Sequence, residues 1–549
     1  MTPTSTPRII TRSEHIISRA HISSNALRVL YRLRDAGFMA FLVGGCVRDL
    51  LIGIEPKDFD VATDALPEQV RKLFRNCRLV GRRFRLAHVF FGRDIIEVAT
   101  FRAASAPAPG EEPLPEVDGA EGEDRDSEQE GLDAAGSDIA ALDEGESSLE
   151  GSALDDEEDD DEEDDDDEDE DDDALGDDAG RPPPLPVPRR SNRYRERPAS
   201  PNGDESAADL DVDPNAERMF DETGRILRDN VYGTIDADVW RRDLTANALY
   251  YNIADFSIWD YVGGFEDIAA RKLKLIGDPE TRFREDPVRM LRAARFEAKL
   301  GFEIDSATAE PIERLKGLLG GVPPARLFDE TLKLFLTGHG RRSFEVLRHR
   351  GLLAALLPTV DDYFRTHPGS LVEQLVMRGL ENTDARVMAD KPVTPTFLFA
   401  LLLYGPIASI IESTPPERWH ELGTILDACD RAARQVQSHI SLPKRFSLGM
   451  REMFALQPRL EHPRGRRALR VIEHPRFRAA YDLLLLRAQY GLASAEIVDW
   501  WTRIQEVSAE ERGRMADALT GQAQRTEGAP APRRGGRRRR RRRGPSSPG

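Results

Sequence analysis

Three cysteines in 549 residues, Cys46, Cys77 and Cys429, are too few and too widely spaced for a disulfide framework, and they lack zinc-ligand spacing. They fit a reducing compartment, the cytoplasm. Long hydrophobic runs are missing too. The stretch Phe397 to Ile411 is interrupted at Gly405-Pro406 and is too short to span a bilayer, so a buried helix with a break is expected and no membrane. The opening MTPTSTPRIITRSEH has no apolar core, which argues against a secretory signal. No repeat of solenoid length is visible.

Charge is what the chain has in excess, and it is segregated. Residues 103–215 hold 43 acidic and 7 basic residues, including 19 consecutive acids from Asp155 to Asp173. Their net of −36 exceeds the −21 of the whole chain, so the remainder carries +15. Ten Arg against one Glu lie in residues 521–549. A basic body with a very basic tail suits a polyanion such as nucleic acid. The acidic stretch holds too little apolar area to offset the entropy of ordering, so it is expected to be disordered. Loop-closure entropy grows slowly with length, so 225–275 is expected to rejoin a sheet begun before the insert.

Elsewhere, the periodicities alternate between strand and helix. Apolar residues at Ala26, Val29, Leu30 and Leu33 predict a helix capped by Gly37. Strands are expected at Phe41–Val43, Cys77–Val80, His88–Phe91 and Asp94–Arg102. From Asp286-Pro287, a good helix start, the chain reads helical at 287–300, 325–338, 343–357, 371–380, 395–412, 422–439 and 478–505. The fold class is α+β: a head with a small mixed sheet, a helical neck and body, a disordered acidic insert and a basic tail. The divisions are 25–102 plus 225–275 for the head, 103–224 for the insert, 276–360 for the neck, 361–510 for the body and 511–549 for the tail.

Chemistry concentrates in FLVGGCVRDLLIGIEPKDFD, residues 41–60. Gly44-Gly45 permits a close approach of backbone to phosphate. Asp58 and Asp60, if extended, share a face with Phe59 turned to the core, and two such carboxylates suit Mg²⁺ held against phosphates. Alone, the glycine pair is most often a turn and the acids a solvated pair. Glu97, in DIIEVATFR, alternates with Ile96 and Val98; a strand Glu is commonly only solvent-facing. Arg241-Arg242-Asp243-Leu244-Thr245-Ala246-Asn247 offers phosphate clamps, and on a helix Asp243 and Asn247 would share a face. Asp286, Arg289 and Arg292 recur every three residues, which also suits an ordinary ion-pair face. His88 reads as structural.

Taken together, the GG ahead of DxD, RRDLTANAL and EDPVR resemble the nucleotidyltransferase superfamily shared by bacterial poly(A) polymerases and CCA-adding enzymes. GRRFRLAHV, LIGDPETRFREDPVRMLRAARF, VPPARLFDETLKL and EHPRFRAAYDLLLLRA look like the poly(A) polymerase I branch, over roughly 25–102 and 225–505. The acidic insert departs from it. The resemblance implies a template-independent polynucleotide adenylyltransferase adding AMP from ATP to RNA 3′ ends, in mRNA processing and RNA decay. It implies Asp58, Asp60 and Glu97 holding two Mg²⁺, with Asp243 also catalytic. It implies Gly44, Gly45, Arg48, Asp49, Arg241, Arg242 and Asn247 at the nucleotide, and Asp286, Arg289 and Arg292 at the base. The partners implied are RNA 3′ ends and RNA-decay proteins, with the chain a monomer. A CCA-adding enzyme would share the same head. A non-catalytic RNA-binding protein is the rival of another class, and the intact carboxylates argue against it.

Overall fold

The computed structural model describes residues 6–81, 85–103, 219–220, 226–228 and 232–527. Arg82, Arg83 and Phe84, nearly all of the acidic insert and the Arg-rich end of the tail lie outside them. The strands, in chain order, are β1 (Arg8–Ile10), β2 (Ala40–Val43), β3 (Asp60–Thr63), β4 (Cys77–Val80), β5 (Leu86–Phe91), β6 (Asp94–Thr100), β7 (Met219–Phe220), β8 (Ile226–Arg228), β9 (Leu249–Asn252), β10 (Ile258–Asp260), β11 (Lys272–Leu273) and β12 (Glu303–Ile304).

Eight of them form one sheet in the order β1-β10-β9-β2-β3-β6-β5-β4. Every pairing is antiparallel except β3 with β6, so the sheet is mixed as expected. Edge strand β1 carries no sequence signal beyond Ile9-Ile10 and was not expected. Alternation gives the sheet two apolar faces. Leu42, Val61, Val89, Ile96 and Val98 join the main core with helix α1 (Ser24–Asp35), whose Ala26, Val29, Leu30 and Leu33 are all buried. Phe41, Val43 and Ala62 pack on the other face against Ile235 and Val239 of a later helix.

Between β2 and β3 lies α2 (Gly45–Leu51), and α3 (Pro67–Leu73) follows β3. Beyond the insert the chain does rejoin the sheet. Tyr232 bridges antiparallel to Arg102, and Gly233 N–H donates to Phe101 O at 2.9 Å. A Cβ at Gly233 would meet Ala103 at 2.6 Å, so the returning strand needs glycine there. Then come α4 (Ile235–Arg241) and α5 (Gly264–Ala269).

A helical array continues with α6 (Pro279–Glu285), α7 (Val288–Leu300), α8 (Ser306–Leu315), α9 (Pro324–Phe335) and α10 (Gly340–His349), and one apolar core runs from the sheet to Ile504. The expected helix at 343–357 is divided by Gly351, at φ 65, into α10 and Leu352–Leu356. The apolar run at 395–412 breaks at Leu403, not at Gly405-Pro406, into two helices bent by 46°. Pro406 falls in the first turn of the second, where its missing N–H costs nothing. Gly405 admits the Tyr363 ring, which a Cβ would meet at 2.3 Å. The span 478–505 divides at Gly491, φ 69. Helices at Lys444–Glu461 and Ala509–Glu527 were not expected, so the first part of the supposed unstructured tail is helical. It is anchored by buried Ala516 and by Asp517, 3.0 Å from Arg466.

Candidate active site

The site begins where β2 ends. Buried Phe41-Leu42-Val43 delivers the chain to Gly44, at φ 81 and ψ −136, a conformation that side chains rarely adopt. The position where a Gly44 Cβ would stand lies 3.7 Å from Arg242 Nη1 and 3.8 Å from Asp60 Oδ2. Glycine therefore leaves a small open cradle between a guanidinium and a carboxylate. Opposite it, β3 and β6 run parallel with Val61 beside Val98 and both in the core. One residue back, Asp60 and Glu97 must then be neighbours on the other face. Asp58, exposed, lies just ahead of the strand rather than in it, while Phe59 packs on the core as expected.

These acids feel one another. Burial, then the Glu97 and Asp58 carboxylates, push the Asp60 carboxyl up to about 6, against the pull of Arg242. His88, cross-strand from Glu97, brings Nε2 within 3.4 Å of its carboxylate. Among the described residues no three such groups close into a finished metal cage. The donor set still fits Mg²⁺: hard oxygens with excess negative charge, open on one side for water and phosphate ligands, as Mg²⁺ prefers.

Behind the cradle the motifs interlock. Arg48 is 1 % exposed. Its Nε and Nη2 donate to Asp49 Oδ1 at 2.8 and 2.6 Å, and its Nη1 donates to Asn247 Oδ1. The Phe296 ring lies 5.1 Å from the guanidinium. Arg48 thus braces α2 against the second motif and α7. The second motif is not helical at Asp243. Helix α4 ends at Arg241, and a tight turn occupies Thr245–Asn247. Asn247 Nδ2 nevertheless reaches Asp243 Oδ1 at 3.4 Å. Asp243 Oδ2 accepts from Arg292 Nε and Nη2 at 2.8 and 2.6 Å. Burial raises the Asp243 carboxyl, but Arg292, the Leu244 N–H and Asn247 outweigh it and hold it below the usual range.

Arg242 is the cation that does face the cradle. It donates to Tyr250 Oη at 2.9 Å and Asp238 Oδ2 at 3.0 Å, and Tyr250 donates to Asp238 at 2.7 Å. Arg241 contributes its carbonyl, at 3.3 Å from Arg282 Nη2, which also donates to Arg242 O at 2.6 Å. At the α6–α7 junction the helix begins at Val288, one residue later than expected, so Pro287 and not Asp286 holds the N-cap position. Asp286 Oδ1 nevertheless accepts from Val288 N–H at 3.2 Å. Its Oδ2 accepts from Arg326 at 2.6 Å, and Arg289 donates to Arg282 O at 2.8 Å and Glu285 at 3.1 Å.

The expected residues therefore fall into three linked groups. Gly44, Asp58, Asp60, Glu97 and Arg242 gather at the cradle, while Gly45 lies against Arg48 and Arg241 lends its carbonyl to Arg282. Arg48, Asp49, Asn247, Asp243 and Arg292 form the brace, and Asp286 and Arg289 form the α6–α7 junction. Asp238, Tyr250, Arg282 and Arg326 were missed. Asp238 and Arg242 stand four apart, a readable helical pair. Arg326 is 40 residues from Asp286, and no local signal joins them.

Known proteins were compared with this chain. The families described as "Poly A polymerase head domain", "Probable RNA and SrmB- binding site of polymerase A" and "Polymerase A arginine-rich C-terminus" match residues 40–127 with 199–274, 301–364, and 417–544 respectively. Poly(A) polymerase I of Salmonella typhi is 39 % identical over 533 residues, 96 % of this chain and 90 % of that protein. Its counterpart in Haemophilus influenzae is 36 % identical over 92 % of this chain and 90 % of its own. A CCA-adding enzyme of Bacillus pumilus is 26 % identical over 64 % of this chain and 60 % of its own.

Proposed function

The chain belongs to the bacterial poly(A) polymerase I family, and within it we propose a site and mechanism for a polynucleotide adenylyltransferase. The enzyme adds AMP from ATP to RNA 3′ ends without a template. Its setting is mRNA processing and RNA decay in the cytoplasm, which three free buried thiols suit. The observation that carries the site is the β3–β6 register, which sets Asp60 beside Glu97 beneath the Gly44 turn.

Asp58, Asp60 and Glu97 would hold two Mg²⁺, which when bound favour the ionised RNA 3′-hydroxyl and neutralise the triphosphate. Gly44 admits the triphosphate to the cradle, and Arg242 stabilises charge as pyrophosphate leaves. Tyr250 and Asp238 fix the Arg242 fork, so little reorganisation is needed. Arg48, Asp49, Asn247 and Asp243 hold the first two motifs in register with α7. Asp286 and Arg289 read the adenine edge, and Arg326 orients Asp286. Arg292 acts through Asp243.

Incubation with RNA, Mg²⁺ and each nucleoside triphosphate in turn tests the reading. Long tails from ATP alone, on RNA without a tRNA acceptor end, are expected. A short C,C,A addition confined to tRNA would establish the CCA-adding reading instead.

A further inference from the structure

A cavity of about 190 Å³ lies in the helical body, among the helices Tyr404–Glu412, Leu422–Gln437, Lys444–Glu461 and Phe477–Gln489. Sites for drug-sized ligands run to about 300–1,000 Å³, so this one suits a single long side chain. Ile407, Ile411 and Ile425 form apolar walls, and Tyr404, Phe454 and Trp419 add three rings. The Tyr404 and Phe454 ring centroids are 5.9 Å apart. Trp419 is fixed through its Nε1, which donates to Thr414 O at 2.9 Å.

The polar lining is short of donors. Its one arginine, Arg487, is already committed. Nε donates to Tyr404 Oη at 3.1 Å, Nη1 to Gln457 Oε1 at 3.0 Å and to Glu461 Oε1, and Nη2 to Leu492 O at 3.1 Å. Glu461 Oε2 accepts no hydrogen bond among the described residues, and Glu412, also in the lining, makes no ion pair among them. Pro458, inside its helix, has no N–H to give the Phe454 carbonyl. The cavity thus sets aromatic walls beside open acceptors, with two carboxylates against one guanidinium. A second guanidinium would meet both features. It stacks on aromatic faces and forks its donors onto carboxylates, which an ammonium does not. RNA would instead bring phosphates towards Glu412 and Glu461, and like charges so placed repel.

The chain carries nine arginines of its own in residues 533–543, and they can reach the cavity. Helix Ala509–Glu527 is pinned by Asp517 to Arg466, 3.0 Å away and five residues past Glu461. Glu527 stands about 15 Å of helix beyond Asp517. Extended chain from Glu527 to Arg543 spans on the order of 50 Å. We propose that the cavity is the docking site for an arginine side chain of this run, held between the aromatic walls and paired with Glu412 and Glu461. While docked, that arginine is withheld from RNA phosphates.

Fluorine NMR of the full chain carrying fluorotryptophan tests it, with the Trp419 resonance identified by its loss in Trp419→Phe. A full-length variant with all nine arginines of 533–543 changed to Gln should shift that resonance. A free peptide of the native 533–543 sequence, added to this variant, should return it to the parental position. A peptide of equal charge, with Lys in place of each Arg, should not. Adding Glu412→Gln should raise the peptide concentration needed about tenfold, since a hydrogen-bonded charge is lost. The same Trp419 position in the parent and the variant, or an equal response to the Lys peptide, would overturn the docking. So would a resonance that oligoadenylate moves and the Arg peptide does not, which would mark a nucleobase pocket instead.

Discussion

At the scale of single residues, Asp60 sets stability against function. Its folded carboxyl is pushed up to about 6 by burial and by Glu97 and Asp58. The native state therefore binds more protons than the unfolded chain between about pH 4 and 6. Stability of the metal-free protein should fall as pH rises through that window, by on the order of 3 kcal/mol. Asp60→Asn removes the charge. It should raise the melting temperature at pH 7 in chelator and flatten the dependence between pH 4 and 6, while nucleotide addition drops about a thousandfold or more. Melts of both proteins at pH 5 and 7 with paired activity assays decide this; parental activity in the variant would refute the metal role. With Mg²⁺ held at Asp60 as proposed, protons would compete with it there. At limiting Mg²⁺, activity should fall as pH drops through about 6, and more Mg²⁺ should move that midpoint lower. The strand itself begins only at Asp60, whereas the Asp58–Asp60 spacing was legible in the sequence. How far each is buried was not, since that depends on Glu97 and Arg242, brought from elsewhere.

At the scale of elements, two junctions carry the site. The first is the β2–α2 turn. Gly44→Ala would force φ 81 on a side-chain residue and fill the space between Arg242 and Asp60. Strain of that kind costs about 1–3 kcal/mol. A lowered melting temperature together with loss of ATP binding is expected, and parental ATP affinity would show that the cradle is not there. The second is the α6–α7 junction, where Arg326 of α9 holds Asp286 at 2.6 Å. The Arg326 side chain is 52 % exposed, so its removal should cost well under about 1 kcal/mol of stability. Arg326→Ala should nonetheless lower kcat/KM for ATP about tenfold relative to CTP, because a freed carboxylate can turn away from the base edge. Equal losses for both nucleotides would remove Arg326 from base selection. The amphipathic faces of α1 and α7 were plain from apolar spacing. The exact breaks at Leu403 and Gly491 were not, because packing against Tyr363 and the turn conformation of Gly491 decide where each helix stops.

At the scale of the whole molecule, the head is one sheet interrupted by a long insert. Arg102 and Tyr232 pair directly, so the ends of the insert already meet in the sheet. Replacing residues 104–230 with a short Gly/Ser linker should leave the melting temperature and ATP addition near those of the parent, since closing a shorter loop costs little. A melt lowered by several degrees would show that the insert supports the sheet. By itself, the sequence determined the motifs, the order of head and helical body, the acidic and basic blocks, and the strand that bears Glu97. Those features are local: each depends on residue type and spacing within a few turns or strand lengths. Tertiary structure alone decided that β1 closes the sheet edge and that β3 lies parallel to β6 with Asp60 level with Glu97. It also turned Arg48 inward to Asn247, 199 residues away, and left Arg242 to face the cradle. Such choices follow from which partners burial brings together, and a buried guanidinium goes wherever its hydrogen bonds can all be met.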